Sequence, residues 1–234
     1  VLFFFFFFIN LVCTFATISF IDPCRYDDPK CILKSSKKAM PYVIAGVPEI
    51  GIPSFDPLVL NDVNGDNGDL KLKFKDMVVK NIAKCEITKV ERPEKLKANI
   101  DLICPITATG HYSLGGKLFV VNVEGDGDFE IKTDKIKISV SIALKVIEKN
   151  GQDYYKFVNF DYKYEALEKF YFTFHNLYHG DKAKAEPIIS ILDQSWKEII
   201  NEIGKPVIKE IITQVVNAIG KLFIHTPRSE IELD

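Results

Sequence analysis

Two periods divide the chain. From Leu60 to Phe174 apolar residues recur mainly at every second position, and from Pro187 onward at every third or fourth. The first pattern predicts half-buried strands, because successive strand side chains point to opposite faces of a sheet. Leu70, Leu72 and Phe74 alternate with lysines, and Ile82, Cys85, Ile87 and Val90 continue less regularly. The cleanest run is Leu96, Ala98, Ile100, Leu102, Cys104 and Ile106. Leu118 to Val123 follows, and Asp126-Gly127 reads as a tight turn. Ile131, Ile136, Ile138, Val140, Ile142 and Leu144 predict another long strand, closed by a hairpin at Asn150-Gly151. Tyr154, Tyr155, Phe157, Phe160, Tyr162 and Tyr164 supply an aromatic strand, which Phe170 to Phe174 extends. The expected product is a meander of long antiparallel strands with one apolar face.

The second pattern predicts a helix. Ile188, Leu192, Trp196, Ile199, Ile203, Val207, Ile211, Val215, Ile219 and Leu222 step along one face. Ile189, Ile200, Ile208, Ile212, Val216 and Phe223 widen that face well beyond a coiled-coil seam. The element is expected to start at Pro187, to run for about 35 residues or about 50 Å, and to bend at Gly204-Lys205-Pro206. A helix so apolar must be covered, and the apolar face of the sheet is the available cover. The fold class is therefore α+β, with a long C-terminal helix wrapped by a curved antiparallel sheet.

The N-terminal part is less regular. Val1 to Ile21 is apolar save for small and polar residues and carries no charge until Asp22. It reads as a secretory signal, residues 1–19 with cleavage after Ser19, numbered from inside its precursor. The rival reading is a retained anchor, since about 20 apolar residues span a bilayer. Residues 20–234 are expected to form one domain. Ile32 to Ile44 predicts a short helix that Pro41 should break or delay, and the prolines of Gly46 to Leu58 impose an extended connection.

Composition adds exclusions. The net charge of −2 and the lysines alternating with apolar residues give no footprint for nucleic acid. Cys13 lies in the leader, leaving Cys24, Cys31, Cys85 and Cys104, which allow three pairings. Cys24 and Cys31 bracket a short polar loop, and Cys85 and Cys104 sit on neighbouring strand patterns, so Cys24–Cys31 and Cys85–Cys104 are the expected bridges. No C-x2-C and no histidine near a cysteine pair indicates zinc. His175-x3-His179 lacks an acidic partner, and Asp62 to Asp69 lacks the glycine and glutamate of a calcium loop, so it reads as a polar hairpin turn. No nucleophile elbow or phosphate loop occurs. No residue is nominated for catalysis, and no cofactor or metal is expected.

Three ordered blocks carry a resemblance. Cys24-x6-Cys31 is followed by Gly46-Val47-Pro48-Glu49-Ile50-Gly51-Ile52-Pro53-Ser54-Phe55-Asp56-Pro57-Leu58. Phe174-His175-Asn176-Leu177-Tyr178-His179-Gly180-Asp181 comes next, and then Ile191-Leu192-Asp193-Gln194-Ser195-Trp196-Lys197-Glu198. Together they resemble the takeout/juvenile-hormone-binding proteins of insects. The resemblance implies a super-roll, TULIP-like, with an internal apolar tunnel along the helix. It also implies a disulfide at Cys24 and Cys31, export to haemolymph or sensory fluid, and a lipophilic small-molecule partner. The hormone-binding branch of that family has a second disulfide near the C-terminal helix, where this chain has no cysteine.

A tunnel binds through buried apolar area, at about 25 cal/mol per Å². The candidate walls are Trp196, Ile199, Ile203 and Val207 on the helix, facing Phe119, Val121, Val140, Ile142 and Phe157. Ile44 and Val47 are the candidate mouth, and Tyr155 or Tyr164 the candidate polar handle. The expected protein is a secreted monomeric carrier that meets a receptor or membrane for ligand exchange. Its rivals are a membrane-contacting lipid-exchange module and a secreted structural or signalling protein whose tunnel is filled by its own side chains.

Overall fold

A computed structural model describes residues 20–233. The expected leader, residues 1–19, lies outside the described residues. In chain order the elements are β1 (Cys24–Arg25), α1 (Pro29–Ala45), β2 (Leu58–Asn64), β3 (Lys71–Lys80), β4 (Glu86–Glu94) and β5 (Lys97–Leu118). They continue with β6 (Val121–Lys149), β7 (Gln152–Ala166), β8 (Tyr171–Phe174), α2 (Lys182–Gln194), α3 (Trp196–His225) and β9 (Glu232–Leu233).

The hairpin of β5 and β6 is the spine of a seven-stranded antiparallel sheet. Its pairing runs from Leu118 opposite Val121 out to Lys97 opposite Ala143, with one irregularity at Cys104 to Ile106. Each long strand carries two shorter neighbours on its outer side. β5 pairs with β3 along Thr107 to Gly115 and with β4 along Lys97 to Ile103. β6 pairs with β8 along Phe129 to Lys132 and with β7 along Ile136 to Lys149. β2 adds an edge beside β3. Strands of this length accumulate the right-handed twist of their residues, and the sheet curls without closing. The long helix α3 touches both β2 and β7, the two ends of the main strand order, so it fills the roll between its open edges.

Four expectations about local structure need correction. Asp126-Gly127 is no turn but lies inside the 29-residue β6. Its glycine is there for close approach, since a Cβ on Gly127 would meet the His175 carbonyl oxygen at 2.6 Å. The actual turn is Phe119-Val120, between Leu118 and Val121. The long C-terminal helix begins at Lys182 and not at Pro187, because the Asp181 side chain accepts a hydrogen bond from the Lys184 amide at 3.2 Å and caps it there. Its interruption falls at Ser195, with φ −106° and ψ 28°, while α3 stays helical through Pro206. α1 likewise stays helical through Pro41. The Asn150-Gly151 hairpin forms as expected, with positive φ at both residues.

Both expected disulfides are present, Cys24–Cys31 and Cys85–Cys104. The second joins residues 19 apart in sequence, so closing its loop in the unfolded chain is worth about 3 kcal/mol in the chain-entropy account. Replacing Cys85 and Cys104 together by alanine should lower stability by about that amount, read as a shift of the urea midpoint in unfolding monitored by circular dichroism.

The two chain ends meet. β1 and β9 pair in parallel, Cys24 opposite Glu232 and Arg25 opposite Leu233. Beneath them Glu232, only 4% exposed at its side chain, accepts hydrogen bonds from Tyr155 Oη at 2.5 Å, from Arg228 Nη2 at 2.8 Å and from Arg92 Nη1. Arg92 also lies over the Tyr155 ring, 4.9 Å from its centroid. This buried cluster ties β4, β7 and the C-terminal segment to one carboxylate.

Candidate ligand-binding cavity

The helix and the sheet do not fill the roll evenly. Towards the C-terminal half of α3, Val140, Ile142, Leu144 and Tyr155 pack against Ile212 and Val216, with Phe157 and Phe223 completing a dense layer. The Phe157 and Phe223 rings lie 5.3 Å apart. Towards the N-terminal half a cavity opens between α2 and α3 on one side and β3, β5, β6 and β8 on the other. Its volume is about 120 Å³.

Every described residue lining the cavity is apolar. The sheet contributes Leu72, Phe74 and Met77 from β3, Ile106, Ala108, Leu114 and Leu118 from β5, and Ile131, Ile136 and Ile138 from β6. Phe170, Phe172 and Phe174 enter from β8 and the segment before it. The helices contribute Ile188 and Leu192 from α2, and Ile199, Ile203, Gly204, Val207 and Ile211 from α3. The alternation of β5 and the three-to-four spacing of α3 aim these side chains inward. Gly204 makes room by having no side chain. A Cβ there would stand 3.5 Å from the Ile200 and Ile208 methyl groups, in ordinary contact, and would project towards the space.

The residues expected at the site divide sharply. Ile199, Ile203 and Val207 line the cavity. Trp196 stands beside it, its ring 6.4 Å from Phe170. Val140, Ile142, Tyr155 and Phe157 pack instead in the layer around Ile212 and Val216; of these residues only Ile212 also lines the cavity. The four sheet residues therefore face a later stretch of α3 than Ile199 to Val207. Reading Asp126-Gly127 as a turn cut β6 in two and hid how far along the roll each part lies. Val121 packs on the main core without lining the cavity, as do Val47 and Ile44. Ile44 also lines a separate outer cleft between α1 and the start of β4, beside Cys85. Phe119 is 49% exposed at the hairpin tip. The phenylalanines of β8 were legible only as sheet residues, since nothing in their period says which end of the helix they face.

Neither expected polar handle reaches the cavity. Tyr155 is held by Glu232 and Arg92, and burial followed by the Glu232 hydrogen bond raises its pKa. The Tyr164 hydroxyl donates to the Ile200 carbonyl at 3.0 Å, fastening β7 to α3, and burial raises its pKa as well. Tyr112, pushed up to about 12 by burial, donates to the His175 carbonyl at 2.7 Å and anchors the segment after β8. Among the described residues no cluster of His, Cys, Asp and Glu is arranged to hold a metal ion, and no helix is long and apolar enough to cross a membrane.

Known proteins share this architecture. The crystal structure of Takeout 1 from Epiphyas postvittana matches with a TM-score of 0.87 and 25% identity, over 92% of this chain and 100% of that one. The circadian clock-controlled protein daywake of Drosophila melanogaster is 22% identical over 223 residues, covering 88% of this chain and 85% of that protein. The family model for haemolymph juvenile hormone binding protein matches residues 2–231. A match over that extent, on a roll of the same shape, shows that the chain belongs to the takeout/juvenile hormone binding protein family.

Proposed function

We propose that the protein is a secreted, non-enzymatic, monomeric carrier of one elongated, uncharged lipophilic molecule, held in the cavity beside Ile199, Ile203 and Val207. The observation that carries this reading is the wholly apolar lining. Transfer of apolar surface from water to such walls is favourable at about 25 cal/mol per Å², whatever the ligand's finer chemistry. The family is named for haemolymph proteins that bind juvenile hormone, which supports a small lipophilic ligand and export. Two disulfides and an uncharged, apolar N-terminus support export further. The layer at Phe157 and Phe223 supports a ligand that ends short of it.

The test is native mass spectrometry of protein secreted from an insect host, with organic extraction of what accompanies it. One neutral lipid per chain is the expected result. A protein that emerges empty and takes up no diphenylhexatriene would sink the proposal. Charge gives a second, sharper expectation. An ionised carboxylate finds no polar partner on these walls, and burying it unpaired costs several kcal/mol. Dodecanoic acid should therefore bind in its protonated form. Its apparent affinity should fall by up to about 100-fold between pH 6 and 8, while methyl dodecanoate should bind equally at both. Competition against diphenylhexatriene fluorescence measures both ligands, and parallel pH profiles would show that the acid's head reaches water.

A further inference from the structure

Among the described residues Phe119 and Val120 are the one pair of neighbours in sequence that are both large, apolar and exposed, 49% and 88%. They form the whole two-residue loop of the β5–β6 hairpin, between Leu118 and Val121. This loop is poorly suited to its sequence. Phe119 adopts φ 54°, the left-handed region that a bulky side chain avoids, while Val120 does not share the positive sign. A loop with positive φ at its first residue alone favours glycine there, and polar residues normally follow. Of the other two-residue hairpins among the described residues, Asn150-Gly151 meets its positive φ with favourable residues, and Lys95-Leu96 has no positive φ at all. Two unfavourable choices at one exposed tip, local strain and apolar exposure, point to a purpose outside the fold.

We propose that this tip is a contact point with a lipid bilayer, through which the cavity exchanges its ligand. Position supports a bilayer. Leu118, the residue before the tip, is buried and lines the cavity, as does Leu114. The pair therefore projects from the wall of the space that must be loaded. Size supports it too. Two side chains offer far less than the roughly 800 Å² per partner of a stable protein interface, whereas shallow insertion into the boundary of headgroups and acyl chains needs only a few apolar groups. Lys117 is exposed beside them, with a stem that can lie along the acyl boundary while its ammonium stays at headgroup level. The exchange half of the proposal rests on the carrier reading; the contact half does not.

The test compares the wild type with Phe119→Gly/Val120→Asn, which gives the loop a sequence its backbone favours and so should melt no lower. Co-sedimentation with phosphatidylcholine vesicles should fall at least tenfold in the variant. Transfer of diphenylhexatriene from protein to those vesicles should slow by a similar factor, while equilibrium uptake of the probe stays unchanged. In the wild type the transfer rate should rise with vesicle concentration. A rate independent of vesicles, or equal sedimentation of the two proteins, would overturn the proposal. So would a wild-type dimer in sedimentation velocity that the variant lacks, because the tip would then serve a second copy. A wild type that sediments with vesicles but takes up no probe would remove the carrier reading and the exchange half, leaving the contact itself established.

Discussion

Gly204→Leu should abolish ligand uptake while leaving the fold at least as stable as before. The glycine sits in the interior of α3 with open space beside it, and its neighbours would receive a Cβ at ordinary contact distance. A helix-interior glycine costs roughly 0.5–1 kcal/mol relative to residues that favour helices, so leucine should gain most of that. Its isobutyl group would also occupy space that is now empty and gain apolar contacts. The same group would fill part of the cavity lined by Ile203 and Val207, the place of the proposed ligand. Diphenylhexatriene affinity should drop by at least tenfold, about 1.4 kcal/mol, with an unchanged or raised melting temperature. The combination separates the carrier reading from a purely structural one. If Gly204→Leu binds the probe as the wild type does, the ligand lies elsewhere.

Glu232→Gln should have the largest effect on stability, about 3–5 kcal/mol, because it leaves two arginines around a buried site without their carboxylate. Arg92 has a side chain only 10% exposed, and its Nε already lacks a partner among the described residues. For a domain of this size the loss corresponds to a fall in melting temperature of very roughly 6–20 °C, measurable by circular dichroism. The pH dependence has a definite sign. Burial alone would raise the Glu232 pKa, but hydrogen bonds from Tyr155, Arg228 and Arg92 outweigh it and hold the carboxyl below its ordinary 4.5. Its contribution is therefore complete above the unfolded value and disappears as pH falls through the lower folded one. The gap between wild type and variant should narrow in acid below about pH 4.5. A gap that widens there would mean that the cluster is not held by the carboxylate's charge.

The periods of the sequence carried most of the fold. Alternation around Leu96 to Ile106 and the three-to-four steps from Ile188 to Leu222 identified sheet, helix and their mutual burial, because each depends only on which side of an element is dry. Cys85 and Cys104 could be paired because both lie on apolar positions of adjacent strand patterns. What the periods lack is a coordinate along the roll. Gly127 looks the same in sequence whether it turns a chain or lets His175 approach it, and Phe119-Val120 carries no turn signal at all. Helix positions in the cavity were therefore legible at Ile199, Ile203 and Val207, whereas the sheet positions opposite them were not. The helix start is set by the Asp181 cap, and Pro187 sits within the second turn.

The helix at the centre of the roll is made after the sheet that surrounds it. Ribosomes add roughly 5–20 residues per second, so α2 and α3 emerge over several seconds after β8 is complete. Throughout that interval the concave side of the sheet, with Leu72, Phe74, Ile106, Ile136 and Phe172, has nothing of its own to rest against. The nascent protein is thus a sticky half-shell before it is a filled roll, and whatever guards it during synthesis must leave as α3 arrives. The cavity that the finished fold encloses is first a liability of assembly.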